Sequence, residues 1–202
     1  MYLDLIVAKV IIFENSPKIS FFYLFLQEIL MTQRAKTAKE SLVSKTELIL
    51  PNDTNTLNHL MGGRLMHWMD IVAGISGQKH CEAVVVTASV DNISFRAPIV
   101  IGSVVTLRAK ATRAFNTSLE IRIDVDAENI IEGKKVMSNT AYFTFVALNS
   151  EGRPIQIPKV IPETKEEQEL YDGALRRRQL RLVLSGRMKA SEATELKSLF
   201  SM

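Results

Sequence analysis

Three polar side chains, Arg64, His67 and Asp70, recur every third residue in an apolar run extending to Gln78. On a helix this spacing places them on roughly one stripe. A carboxylate in such surroundings is costly unless it is paired or hydrogen-bonded. Asp70 therefore has two readings. It is either a structural partner of Arg64, of His67 or of a second subunit, or a catalytic carboxylate, since buried carboxylates with perturbed protonation concentrate at functional sites. Gly62-Gly63 stands just before the run. These glycines permit a tight turn, or they expose N–H groups at a helix start that can hold a developing oxyanion. Asp70 lies about two turns further on, a spacing that suits an active site covered by a second subunit. The lone cysteine, Cys81, reads as a small buried hydrophobe. No Cys/His cluster suggests a metal.

The elements that must position these groups follow from periodicity. Leu48 to Pro51 is a short apolar run, and Asn52-Asp53-Thr54-Asn55 after it has loop composition. From Arg64 to Gln78, Leu65, Met66, Trp68, Met69, Ile71, Val72, Ala73 and Ile75 leave almost no polar side, which predicts a helix buried all round. Ala83 to Asp91 is rich in Val and Thr. Val105, Leu107, Ala109 and Ala111 alternate with polar neighbours, as do Leu119, Ile121, Ile123 and Val125. This period of two predicts strands with one buried and one wet face. Gly133 marks a turn before a long last strand, Val136 to Leu148. Short connections imply an antiparallel sheet, and one buried helix against it makes an α+β layer arrangement. Glu163 to Leu184 reads as a charged helix whose Arg176-Arg177-Arg178 is a solvated end. A role for that cluster in binding phosphates is the lesser alternative. The domain organisation expected is an N-terminal extension (1–41), a central domain (42–160) and a charged helical extension (161–202).

At 202 residues, 47% hydrophobic and 23% charged, the chain has the composition of a soluble globular protein. A formal net charge of +3 is too small to argue for nucleic acid. The single cysteine rules out a disulfide within the chain and fits a reducing cytoplasm. The apolar runs Leu5 to Phe13 and Phe21 to Leu30 are each too short to span a bilayer, and the start lacks signal-peptide features. Met31 opens an ordinary polar N-terminus. The expectation is that the native chain begins there, with residues 1–30 translated from upstream.

The runs Pro51-Asn52-Asp53-Thr54-Asn55, Gly62-Gly63-Arg64-Leu65-Met66 and Met69-Asp70-Ile71-Val72-Ala73-Gly74-Ile75 resemble the acyl-CoA thioesterases of the hotdog superfamily. The group most resembled contains the bacterial YciA-type enzymes and the animal brain acyl-CoA hydrolase. His80-Cys81, Val86 to Asp91, Ile93-Ser94-Phe95, Phe143 to Val146, Gly152-Arg153-Pro154 and Ile157-Pro158 extend the match, which covers roughly 42–182.

The resemblance implies a hotdog fold, a curved antiparallel sheet around a long central helix. It also implies dimers with active sites at their interface, commonly three to a hexamer. Asp70 falls on the family's catalytic aspartate, as general base or nucleophile, and the N–H of Gly63 would hold the oxyanion. The second polar residue, aligned on the glycine pair, is His59, with Asn58 adjacent. Arg96, Arg113, Asn116, Ser118 and Arg153 are the candidate contacts for the CoA portion, arginine suiting phosphate through its planar donors. Met66, Met69 and Phe95 are candidates to line the acyl tunnel. The implied activity is hydrolysis of fatty acyl-CoA in the cytoplasm, with CoA as part of the substrate and no separate cofactor, metal, nucleic-acid partner or membrane insertion. The alternatives are a hotdog hydratase or dehydratase using His59 or His67, and a non-catalytic acyl-CoA-binding protein.

Overall fold

The alternating apolar residues all point the same way in a five-stranded antiparallel sheet. In the computed structural model, which describes residues 35–91, 93 and 97–198 (136–138 by backbone alone), Val105, Leu107, Ala109, Leu119, Ile121, Ile123 and Val125 are buried in one core. The strands are β2 (Val43–Leu48), β3 (Val84–Val90), β4 (Val104–Ala114), β5 (Ser118–Asn129) and β6 (Lys134–Leu148), in the order β2-β4-β5-β6-β3. A separate two-stranded parallel pair joins β1 (Lys36–Thr37) to β7 (Val160–Ile161). Residues 1–34, including the expected alternative start at Met31, lie outside the described residues.

Helix α1 (Gly62–Cys81) lies against the core face of the sheet. It begins at the glycine pair and ends where Glu82 adopts a left-handed conformation, φ 52°. Leu65, Trp68, Met69, Val72, Ala73, Ser76, Gly77 and His80 form its buried face. Gly77 permits the close approach: a Cβ there would stand 3.1 Å from Val85 Cγ2.

The expectation of a helix buried all round is corrected here. Met66, Ile71 and Ile75 are 39%, 36% and 45% exposed, and Asp70 is exposed among them. One sheet can cover only one side of a helix. The side of the helix away from the sheet therefore keeps apolar side chains exposed beside Arg64, His67 and Asp70.

The other face of the sheet is less wet than the alternation predicts. Helix α2 (Lys165–Leu184) packs there, capped by the Thr164 side chain, which accepts from the Glu167 amide at 3.2 Å. Glu120, outward-pointing between Leu119 and Ile121, is fully buried beneath it. Arg177 grips this carboxylate at 2.7 Å and lies over the Tyr142 ring, 4.0 Å from its centroid. Arg113 stacks on Tyr171 at 4.0 Å and Arg178 on Phe115 at 4.8 Å. The arginine cluster is thus a packing surface and not a solvated helix end. A guanidinium carries a flat hydrophobic face as well as charge, which a charge count does not register.

Candidate active site

Asp70 and Thr87 form the centre of the site. The Thr87 hydroxyl on β3 donates to Asp70 Oδ1 at 2.7 Å, fixing the carboxylate's rotamer, and Oδ2 has no partner among the described residues. Arg64, the expected ion-pair partner, turns away: its Nε donates to Asp53 Oδ1 at 2.7 Å, and its guanidinium lies 5.7 Å from the Trp68 ring centroid. His67 is exposed on the same side of α1. Asp70 therefore has no charged partner of its own among the described residues, and it stands in a patch of exposed apolar side chains.

Asp53 organises the loop that leads into α1. Its carboxylate accepts from Arg64 and from the Leu50 amide at 3.1 Å, and its carbonyl accepts from the Met61 amide at 2.9 Å. The Arg64 guanidinium holds this carboxyl below the usual aspartate range, against the opposing effect of burial. Inside the loop, Asn55 Oδ1 accepts from the amides of Leu57 at 2.9 Å and His59 at 3.2 Å. That commits the amide oxygen, and the Asn55 Nδ2 donors have no partner among the described residues. Asn58 takes a left-handed conformation, φ 57°, and its carbonyl accepts from the Ile101 amide. His59 bridges to Val100. Among the described residues, the hydrogen bonds of Asn58 and His59 are made by the backbone, as the frame that presents Asn55.

The N-terminus of α1 has no side-chain cap, so its first amides are available to a ligand. A Cβ on Gly63 would meet nothing within 4 Å. Seven residues separate Gly63 from Asp70, or roughly 10 Å of helix. A reacting carbonyl needs both groups at about 3 Å, so the two cannot serve the same carbonyl from one chain.

The CoA-contact candidates disperse. Arg96, like Phe95, lies outside the described residues. Arg113 donates to the Tyr171 carbonyl at 3.0 Å and is engaged in packing α2. Arg153 is exposed and pairs with Glu151 at 3.3 Å. Asn116 is exposed, its carbonyl accepting from the Ile157 amide. Ser118 lines a cleft beneath the end of α2. Met69 is fully buried in the core whereas Met66 faces out. Burial pushes the Cys81 thiol up to about 12, so it is not a nucleophile at neutral pH. His80 is also fully buried. Its Nε2 sits 2.8 Å from the Pro158 carbonyl, and burial lowers its pKa.

The thioesterase superfamily model matches residues 57–134. An uncharacterized acyl-CoA thioester hydrolase of Bacillus subtilis, YkhA, is 40% identical over 146 residues, covering 72% of this chain and 85% of that protein. The chain belongs to the thioesterase superfamily, and its fold is the hotdog fold. The cytosolic acyl coenzyme A thioester hydrolase of Rattus norvegicus is 36% identical over 145 residues, 71% of this chain, but the chain spans only 38% of that protein. An apo-hexameric acyl-CoA thioesterase superimposes with a TM-score of 0.73 at 31% identity, over 75% of this chain and 97% of the other. An acyl-CoA hydrolase from Staphylococcus aureus, solved with butyryl coenzyme A, coenzyme A and coenzyme A disulfide, does so with a TM-score of 0.70 at 35% identity, over 76% and 95%.

Structures of alanine variants of the staphylococcal enzyme include one at an aspartate, one at a threonine seventeen positions later and one at an asparagine fifteen positions earlier. The same spacings here join Asp70 to Thr87 and to Asn55. The sequence reading singled out neither of the last two. Asn55 lies in the motif run but reads as a turn residue, and a threonine in a Val-rich strand reads as β-propensity.

Proposed function

We propose that this chain hydrolyses fatty acyl-CoA thioesters to fatty acid and CoA in the cytoplasm, without a separate cofactor, and that Asp70 is the catalytic carboxylate. The observation that carries the reading is Asp70 itself, oriented by Thr87, without a charged partner among the described residues, and set in an exposed apolar patch on α1. Asp70 Oδ2 takes a proton from water as the water oxygen attacks the thioester carbonyl. The resulting oxyanion accepts from the Gly63 amide, and the Asn55 Nδ2 donor adds to it. Asn55 takes the role first given to His59 and Asn58, which support the loop that carries it. Collapse breaks the C–S bond, and the CoA thiolate leaves with the proton that Asp70 received. In the nucleophilic variant, Asp70 Oδ2 attacks the carbonyl directly and water then cleaves the mixed anhydride.

Because one chain's Gly63 and Asp70 are too far apart, the working site is built from two copies. The exposed faces of two α1 helices meet about a two-fold axis, so that the Asp70 of one protomer faces the glycine turn of the other, twice per dimer. The hexameric relative supports further assembly as a trimer of such dimers.

The test is CoA release from palmitoyl-CoA, read with a thiol reagent. Asp70→Asn should lower kcat about 10²- to 10⁴-fold with an unchanged circular dichroism spectrum. Full activity in that variant removes the carboxylate from the mechanism. Single turnover in ¹⁸O water separates the two routes, since only the nucleophilic one places an unlabelled protein oxygen in the first fatty acid.

A further inference from the structure

The two donors given to the oxyanion, the Gly63 amide and Asn55 Nδ2, stand on different elements. Gly63 belongs to the first turn of α1, and the helix fixes its place. Asn55 belongs to the loop before that helix. A bridge between Thr54 and Leu60, and the bond from the Asn55 amide to the His59 carbonyl at 2.8 Å, close this loop into a small hairpin with Asn55 at its corner. Asn55 Oδ1 accepts from the Leu57 and His59 amides, so the hairpin also fixes how the carboxamide is turned. None of these bonds fixes where the corner stands relative to α1.

That position is set at Asp53. Among the described residues, the hydrogen bonds between residues 51–55 and residues 61–64 all end there: its carbonyl accepts from the Met61 amide at 2.9 Å, and its carboxylate accepts from Arg64 Nε at 2.7 Å. Arg64 directly follows Gly63, and Asp53 stands two residues before Asn55. One ion pair thus joins the carriers of both donors. The Arg64 guanidinium is steadied from the helix side, 5.7 Å from the ring centroid of the buried Trp68.

The pair is a weak device for stability and a strong one for geometry. The Arg64 side chain is 44% exposed against 7% for Asp53, and a pair open to solvent on one side adds little to folding. An oxyanion donor, by contrast, must stand about 2.7–3.1 Å from the oxygen it serves. A small drift of the corner would take Asn55 Nδ2 out of that range.

We propose that the Asp53–Arg64 ion pair is a positioning clamp, which sets the separation of Asn55 from the Gly63 amide so that both donors reach one oxygen. The assignment rests on the roles given above to Asn55 and Gly63 and adds to them a residue pair that acts through Asn55.

Steady-state hydrolysis of palmitoyl-CoA tests it in the full-length wild type, Arg64→Met, Asp53→Asn, Asn55→Ala and the double variant Arg64→Met/Asn55→Ala. Arg64→Met keeps an apolar stem beside Trp68, so the core stays filled. It should lower kcat about 10- to 100-fold, the weight of a small misplacement of a catalytic group, while KM and the urea midpoint at neutral pH stay near the wild-type values. Asp53→Asn strips the charge but keeps one acceptor oxygen, and should show a smaller loss of kcat. Asn55→Ala should lower kcat about 10²- to 10³-fold, as expected for one oxyanion donor. In the double variant kcat should be no lower than in Asn55→Ala alone, because a clamp has no effect once the group it places is gone. A merely structural Arg64 would instead lower the urea midpoint, and its loss would multiply with that of Asn55→Ala. Multiplying losses, or a normal kcat in both Arg64→Met and Asp53→Asn, overturn the clamp and leave the role of Asn55 standing. A fully active Asn55→Ala overturns that role itself, and the clamp with it.

Discussion

The two long helices, each of twenty residues, lie on opposite faces of one sheet and are held by opposite physics. Helix α1 is held by apolar burial on one side and leaves Met66, Ile71 and Ile75 uncovered on the other. Helix α2 is highly charged and buries little apolar surface. It is fastened by the Glu120–Arg177 pair, by Lys110 on Glu167 at 2.8 Å, and by arginines lying flat on Tyr142, Tyr171 and Phe115. Burial alone would raise the Glu167 carboxyl, yet the Lys110 ammonium and the Glu163 amide outweigh it and leave it lowered. An apolar interface tolerates change wherever volume is kept. A buried ion pair does not tolerate loss of one partner, because the other charge is stranded.

That contrast can be broken in several places. After the loss of turnover expected in Asp70→Asn, the largest effect should come from Ile75→Lys. A charge on the open face of α1 should split the assembly and abolish hydrolysis together, read by light scattering and CoA release on one sample. A dimeric, active Ile75→Lys would show that this face is not the shared one. Glu120→Ala tests the opposite side. It strands Arg177 and removes the acceptor of the Thr112 hydroxyl at 2.6 Å, and should cost about 3 kcal/mol in urea unfolding, the low end for a broken buried pair since Arg177 is partly exposed. Gly77→Ala should cost ~1 kcal/mol, the lower bound for overpacking a tight contact, with Val85 Cγ2 at 3.1 Å.

The smallest effect is the pH dependence of the entry loop. Because Arg64 depresses the Asp53 pKa in the folded state, its stabilising contribution is complete above the unfolded value of 3.8 and is lost as pH falls through the folded one. The urea midpoint of the wild type should therefore fall further between pH 6 and pH 3 than that of Asp53→Asn. Equal losses in the two proteins would mean that Arg64 does not hold the loop.

Much of this was legible in the chain itself, element by element. Leu119, Ile121, Ile123 and Val125 announced their strand because a sheet buries every second residue. The glycine pair and the apolar run announced α1 within two residues of its start. Strand β2 was not legible, since Val43–Leu48 carries Ser44, Lys45, Thr46 and Glu47 and owes its state to pairing with β4. Glu120 looked like any wet-face residue because what covers it lies 57 positions away.

What the sequence by itself determined was the sheet, the central helix and the aspartate at its middle, all of which follow from local periodicity and residue type. Only the tertiary structure decided that Arg64 answers to Asp53 and Asp70 to Thr87, that Asn55 commits its amide oxygen to its own loop, and that Arg177 on α2 closes over Glu120 on β5. Those choices depend on which distant side chains arrive at the same place, and periodicity carries no information about residues far apart in the chain.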